Sequence, residues 1–304
     1  MTPVNKPYVG TEDTGATSHA EVVCSVCSSR HLKFLSRYRH AHLMRCCDCG
    51  LIFAGRRPTE AELVENYGGY SRADYDSPIT RQRYRELLDG FEGYRQTNRI
   101  LDMGCGIGFF LEEAQRRSWE AHGSEFEPRA VEINRAKGLD CVQAPIGLDT
   151  FEPSSFDVIT AFEVVEHLRD PLAEAAVIAR ALRPGGLFYC TTPNFASLSR
   201  RLLRGRWSIV SYPEHLSYFT PSTLGSWLER FGFAPVKVRT TGFSLSRLQR
   251  GVSAATPAGQ SSDEQLRVQI ERSRMLRAAK RTVNGALAMA GAGDTIKGHF
   301  ELRG

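Results

Sequence analysis

The chain has 304 residues, 41% hydrophobic and 24% charged, which is enough for one core of α/β size with smaller additions. No apolar run approaches the roughly 18 residues that a membrane-spanning helix needs, and residues 1–20 lack the apolar centre of an export signal, so a cytoplasmic address is expected. The net charge of +5 is modest, but Arg and His crowd Arg30–Arg57 and Arg200–Arg206; these runs read as solvated faces, with nucleic-acid or anionic-glycan contact as the alternative.

In chain order, residues 1–20 are polar, scattered with Gly, Thr and Pro, and expected to be disordered. Residues 21–57 then carry Cys24-x-x-Cys27 and Cys46-x-x-Cys49, separated by 18 residues, which is the spacing of a four-thiolate zinc site. Eight cysteines without an export signal favour metal binding over disulfides. Cys47 competes with Cys46, although the regular two-residue gap favours Cys46, and His31, His40 and His42 are substitute ligands or surface histidines. Zinc closed by four thiolates keeps no open position and would be structural. Residues 58–96 read as a helical connector, with periodicity over Glu60–Tyr67 and Thr80–Arg95 and an aromatic face of Tyr67, Tyr70, Tyr75 and Tyr84.

From residue 97 the pattern changes. Arg99-Ile100-Leu101-Asp102 is an apolar run ending in an acid, followed by Gly104, Gly106 and Gly108 and then a helical pattern from Phe109. Glycines at such a strand-to-helix turn admit positive φ and close approach of a ligand, and the helix start offers free N–H groups and a positive dipole end. The spacing is not the G-x-G-x-x-G of dinucleotide binders. D-x-G-x-G-x-G after a strand resembles motif I of the class I S-adenosylmethionine-dependent methyltransferases. Residues 119–124 read as a second strand ending at Glu125, 23 residues after Asp102, where an acid can accept from ribose hydroxyls. Ser155–Pro171 is similar to the family's fourth strand and following segment, and Leu182–Asn194 to its helix end, Pro-Gly-Gly turn and fifth strand.

The resemblance covers roughly residues 97 to 243 and returns at the C-terminus. It implies a Rossmann-like α/β sheet, parallel with an antiparallel last strand, within a methyltransferase domain spanning 97–304. Implied cofactor residues are Asp102, Gly104, Cys105, Gly106, Gly108, Glu125, Phe126, Phe162 and Glu163, with Gln143 standing where many members place an Asp or Asn for the adenine amino group. Arg45–Phe53, Arg57–Leu63 and Tyr67–Tyr70 resemble a prelude found in a methyltransferase subgroup that commonly acts on sugars, surface glycans and secondary metabolites. Phe233–Thr240 and Thr295–Leu302 read as the sixth and seventh strands, enclosing an insertion over 244–293. In it Val268, Met275, Ala279, Val283, Ala286 and Ala290 mark one face of a basic helix, expected to be a lid, a membrane-surface contact over 263–290, or a homodimer contact.

Methyl transfer from a sulfonium is an in-line displacement that needs alignment and, for a hydroxyl acceptor, removal of a proton. His215, in the loop after the fifth strand, is the candidate general base, with a loop-anchoring role as the alternative. Glu163-x-x-Glu166-His167 also resembles the ubiquinone-biosynthesis O-methyltransferases, where the pattern is associated with magnesium; the alternative is that Glu163 borders the site while Glu166 and His167 are helix-start and packing residues. The expected activity is O-methylation of a small-molecule or glycan acceptor, against an RNA-modifying or nucleic-acid-binding protein that uses the arginines and the zinc ribbon expected over residues 21–57.

Overall fold

The computed structural model describes residues 22–59, 61–62, 77–147, 149–243, 282–283 and 285–304. The expected N-terminal disorder, Tyr67, Tyr70, Tyr75 and most of the 244–293 insertion lie outside the described residues.

The N-terminal part is built from β1 (Leu32–Phe34), β2 (Leu43–Cys46) and β3 (Ile52–Ala54), paired antiparallel, with a short 3-10 turn at Ser36–Ala41. A fourth strand joins from far along the chain: β9 (Ser217–Tyr218) pairs with β3 through Ile52 opposite Tyr218 and Phe53 opposite Ser217.

The main sheet contains β4 (Arg99–Met103), β5 (Glu120–Glu125), β6 (Asp140–Gln143), β7 (Phe156–Phe162), β8 (Leu182–Pro193), β10 (Phe233–Thr241) and β11 (Thr295–Leu302). Its order is β10-β11-β8-β7-β4-β5-β6. Strands β6, β5, β4, β7 and β8 pair in parallel, and β11 runs antiparallel between β8 and β10, as the sequence led us to expect. The central parallel strands are buried on both faces; β7 has six of its seven residues buried.

The helices start where the sequence places a capping acceptor before a proline. Ser77 opens α1 (Pro78–Phe91), Glu127 opens α3 (Pro128–Ala136), Asp170 opens α4 (Pro171–Ala181) and Thr220 opens α6 (Pro221–Glu229). In each, the cap side chain accepts a first-turn N–H and the proline occupies a position whose N–H would be unpaired. Helix α2 (Phe109–Arg116) differs, because its cap position is Gly108 and no side chain covers its first N–H groups. Helix α5 (Leu198–Leu203) follows β8.

One expectation is corrected. Strand β8 begins at Leu182, ahead of Pro184-Gly185-Gly186, which therefore forms a bulge within the strand: Leu182 faces Phe156 and Leu187 faces Val158. Of the expected apolar helix face, Val283, Ala286 and Ala290 are exposed and Val268, Met275 and Ala279 lie outside the described residues; Leu287 is buried.

The core of the small sheet is continuous with that of the large one. Val26, Met44, Leu51 and Phe53 pack in one cluster with Phe188, Phe219, Leu224 and Trp227. A second junction joins Tyr38, Leu43 and Ile52 to Phe195, Leu203 and Trp207.

The start of β4 is held by Asp157 of β7. Its Oδ2 accepts the N–H groups of Gln96, Thr97 and Asn98, each at 2.8 Å, and its Oδ1 accepts from Arg183 Nε at 2.7 Å. Burial works against this carboxylate, but those donors outweigh it and hold its pKa below the usual range.

Candidate active site

The turn after β4 is the one the sequence singled out. Gly104, Gly106 and Gly108 have φ of +66°, +55° and +86°, the left-handed region that costs a residue with a side chain strain energy. At Gly108 a Cβ would also lie 2.1 Å from Asn134 Oδ1 and 2.5 Å from Leu139 Cδ1. At Gly106 a Cβ would meet nothing within 4 Å, so this part of the loop faces open space. The uncapped start of α2 faces the same turn, with N–H groups suited to an anionic group such as a carboxylate.

Glu125 closes the loop from the tip of β5. Its Oε2 accepts Gly106 N–H at 2.7 Å, and its Oε1 accepts Phe126 N–H at 2.7 Å and Glu127 N–H at 3.0 Å. A carboxylate offers about four acceptor positions, so three backbone donors leave room for one ribose hydroxyl. A second hydroxyl requires release of an N–H, which refines the expectation that Glu125 accepts both. Phe126, 48% exposed beside it, offers a ring face. Gln143 donates from Nε2 to the Phe126 carbonyl, so its amide oxygen is the group left for an adenine. Cys105 is buried with Sγ 3.7 Å from Cys141 Sγ, and its backbone N–H donates to the Ser124 carbonyl at 3.0 Å while its carbonyl accepts from Gly108 N–H at 3.0 Å.

Asp102 is 2% exposed and accepts from Thr160 Oγ1 at 2.7 Å. Burial pushes its carboxyl pKa up to about 8, with the Glu125 charge adding to the rise and Thr160 opposing it. At neutral pH it is therefore mainly the neutral acid. Phe162, at the tip of β7, packs against Tyr84 and Phe110 at ring distances of 5.5 and 5.1 Å, so the connector helix α1 forms part of the site wall.

Two residues of the loop's scaffold escaped the sequence reading. Asn134 Nδ2 donates to the Gly106 carbonyl at 2.6 Å, and Lys137 Nζ donates to that of Ile107 at 2.6 Å. The available signal was an Asn amid the apolar positions of α3, where Asn is a poor helix former.

On the acceptor side, Glu163 has φ +55°, and its N–H donates to the Thr191 carbonyl at 3.0 Å. Residues 163–170 form turns, and α4 starts only at Pro171, so Glu166 and His167 are not at a helix start. The structure groups Glu166 and His167 with His215, rather than with Glu163; one ligand atom from each lies within 4.8 Å of the others. Glu166 is 2% exposed, Oε2 accepts from Thr192 Oγ1 at 2.9 Å, and buried Oε1, 3.9 Å from His167 Nε2, has no hydrogen-bond partner among the described residues. His215 Nδ1 lies 2.7 Å from the Ile209 carbonyl and His167 Nδ1 2.8 Å from that of Glu214, with the two rings 4.7 Å apart. A carbonyl can only accept, so each histidine carries a proton on Nδ1 and, when neutral, its lone pair on Nε2.

The cysteine module has the geometry its spacing implied. Cys24, Cys27, Cys46 and Cys49 bring their sulfurs within 4.8 Å of one another, with Cys24–Cys49 at 3.6 Å and Cys27–Cys46 at 3.5 Å. Tetrahedral zinc with bonds of about 2.3 Å sets sulfurs about 3.8 Å apart, so the cluster fits that ion. Burial opposes ionisation of Cys46, but the N–H groups of Cys49 and Asp48 and the neighbouring thiols outweigh it and bring its pKa down to about 7. Cys47 and His31, which meets Asp48, are exposed and outside the cluster, and half-buried His42, which packs on Tyr212, is outside it too.

A strand-turn-helix cradle at the carboxyl edge of a doubly wound sheet, where β4 sits between β5 and β7, defines a nucleotide-cofactor-binding α/β protein. Residues 78–238 match the model of the methyltransferase domain family, and the chain belongs to that family. Among curated proteins it is 30% identical over 161 residues to a ubiquinone biosynthesis O-methyltransferase of Cereibacter sphaeroides, covering 48% of this chain and 62% of that one. It is 29% identical over 143 residues to a protein of the same name from Xanthomonas campestris, covering 43% and 60%. The chain thus spans about three fifths of the length of the curated relatives it matches. Among solved structures, a SAM-dependent methyltransferase from Archaeoglobus fulgidus superposes with a TM-score of 0.51 at 20% identity, over 79% of this chain and 97% of that one. The cyclase SpnF superposes at 0.50 with 16% identity, over 81% and 97%, so the architecture alone does not fix a reaction.

Proposed function

We propose that this protein transfers the methyl group of S-adenosylmethionine to a hydroxyl oxygen of a small-molecule acceptor. The observation that carries the reading is the cradle itself: an open glycine loop, an uncapped helix start and the Glu125 carboxylate tied to Gly106 N–H. The helix start suits the methionine carboxylate, Glu125 a ribose hydroxyl, and Phe126 and Gln143 the adenine. The O-methyltransferase names of the curated relatives support oxygen as the acceptor atom; neither is named for a sugar, and the sugar, glycan or secondary-metabolite class rests on the sequence resemblance alone.

In this reading His215 is the general base. Its Nδ1–H to Ile209 sets the tautomer, and Nε2 takes the acceptor proton as oxygen attacks the methyl carbon and the sulfonium leaves as a neutral thioether. Alignment and exclusion of water supply the rest of the rate. His215→Ala is expected to lower kcat about 10²-fold or more while S-adenosylmethionine affinity by calorimetry stays unchanged. Near-normal turnover in that variant removes the base.

The orphaned Glu166 Oε1 favours a second reading of the same cluster. Glu166, His167 and His215 could hold a divalent ion that takes imidazole ligands, because both imidazoles are already anchored through Nδ1 to carbonyls, the arrangement that metal-ligating histidines use; magnesium, which takes oxygen ligands, fits this donor set poorly. Such an ion would polarise the acceptor oxygen. Activity that survives exhaustive chelation removes the ion and leaves His215 as the base.

The four cysteines are proposed to hold structural zinc, with no open position for chemistry.

A further inference from the structure

The two basic runs of the sequence meet in space. Residues 22–59 carry seven Lys and Arg against one Asp, and residues 195–212 carry four Arg and no acid. The 3-10 turn of the N-terminal sheet packs against the turn after α5, where a Cβ on Gly205 would lie 3.3 Å from Arg37 Cγ, and the Tyr38 and Phe195 rings stand 5.7 Å apart. At this seam lies a cleft of about 460 Å³, walled by Arg45 of β2, Arg200 of α5 and the hydroxyl-bearing first turn of α6, with Ser222 and Thr223.

Its chemistry is one-sided. Among the described residues no carboxylate lines the cleft, and neither Arg45 nor Arg200 forms an ion pair. Arg200 is held in place: its Nε donates to the Phe195 carbonyl at 2.7 Å, and its guanidinium lies 4.6 Å over the Phe195 ring. Among the described residues its terminal amino groups have no hydrogen-bond partner, so an oriented fork of donors remains for a ligand oxygen. The cleft is one side-chain layer from the proposed base, since Phe195 packs on Tyr218 at 5.8 Å and Tyr218 on His215 at 6.3 Å.

We infer that this cleft is a diphosphate subsite: Arg45, Arg200 and Ser222 bind the diphosphate group of the acceptor and hold it as a handle beside the proposed site. A concave site with two arginines suits a compact oxyanion better than a nucleic-acid strand, which is tracked by an extended groove with stacking aromatics. The idea rests on the methyl-transfer reading for what the handle serves, but binding of the anion does not.

Isothermal titration calorimetry of the full chain separates the two. Inorganic pyrophosphate is titrated into the unaltered protein and into Arg45→Gln and Arg200→Gln, with inorganic phosphate as a second probe and S-adenosylmethionine affinity measured in parallel. The expected result is saturable pyrophosphate binding that weakens about ten-fold or more in each variant, with cofactor affinity within about two-fold. Tighter binding of pyrophosphate than of phosphate is expected for a diphosphate-bearing acceptor; equal affinity overturns that class and leaves a free-anion site. No pyrophosphate binding, or equal binding by both variants, overturns the subsite. So does tighter, steeply salt-dependent binding of single-stranded RNA lost in the same variants, which assigns the face to nucleic acid. Loss of cofactor binding in the unaltered protein sinks the methyl-transfer reading instead and leaves the anion result standing. Arg45 is exposed, so Arg45→Gln keeps the test valid should Arg200→Gln fail to fold.

Discussion

Glu125 provides the sharpest test of the cofactor cradle. In Glu125→Ala the Gly106, Phe126 and Glu127 N–H groups all lose their acceptor, and the ribose loses its hydroxyl partner. The three N–H groups can turn to water, so their loss chiefly loosens the loop; the ribose contact is lost outright. One charge-assisted hydrogen bond contributes about 1.5–3 kcal/mol, and freezing the Gly106 turn on binding costs about 1 kcal/mol more. The expected loss is about 2–4 kcal/mol, or roughly 30- to 1,000-fold in S-adenosylmethionine affinity. Glu125→Gln keeps one acceptor oxygen but turns an NH2 toward either Gly106 N–H or the Phe126 and Glu127 pair, so a smaller loss of about 10-fold is expected. Calorimetry with S-adenosylmethionine and S-adenosylhomocysteine reads both variants, and unfolding temperature reports whether the fold survives. Folded Glu125→Ala that binds within about three-fold of the unaltered protein would refute the assignment.

Asp157→Ala leaves three N–H groups and the Arg183 charge without their acceptor and is expected to cost about 3–5 kcal/mol in urea unfolding. Because the Asp157 pKa is depressed in the folded state, its stabilisation is present above the unfolded carboxyl pKa of about 4 and lost as pH falls through the lower folded value; a variant whose acid limb matches that of the parent contradicts this. Asp102 has the opposite sign: its folded pKa of about 8 means that the native state keeps a proton the unfolded chain releases above about pH 4, so stability falls as pH rises between the two. Asp102→Asn should flatten that slope in melts between about pH 5 and 8, and an unchanged slope counts against a buried neutral acid. Elemental analysis should find one zinc per chain, lost in Cys46→Ser and retained in Cys47→Ser; retention in both would move the site elsewhere.

What was legible in the sequence is what is local. The glycine spacing, the acid at the tip of β5 and the cysteine pairs each depend on neighbours a few residues apart, and the structure places them as read. The cap-and-proline pair Asp170-Pro171 marks the start of α4, and overlooking it is what placed Glu166 and His167 at a helix start. The contacts that were missed span long separations. Asn134 reaches back to Gly106, Asp157 gathers the N–H groups before β4, and Glu166 meets His215 across a loop; no periodicity encodes such meetings. Strand β9, two residues long, is too short for any alternation to show.

That short strand also governs how the molecule can be recombined. Ile52 and Phe53 are in register with Tyr218 and Ser217, and the Ala54 N–H donates to the Leu216 carbonyl one residue earlier at 2.8 Å. The cysteine-bearing segment and the loop that carries His215 are thereby a single inherited unit. A chimaera that exchanged residues 22–57 alone would bring correct thiols to the wrong edge, leaving β9 unpaired and the histidine loop without its mould. Exchanging residues 22–57 together with 195–220 preserves the register.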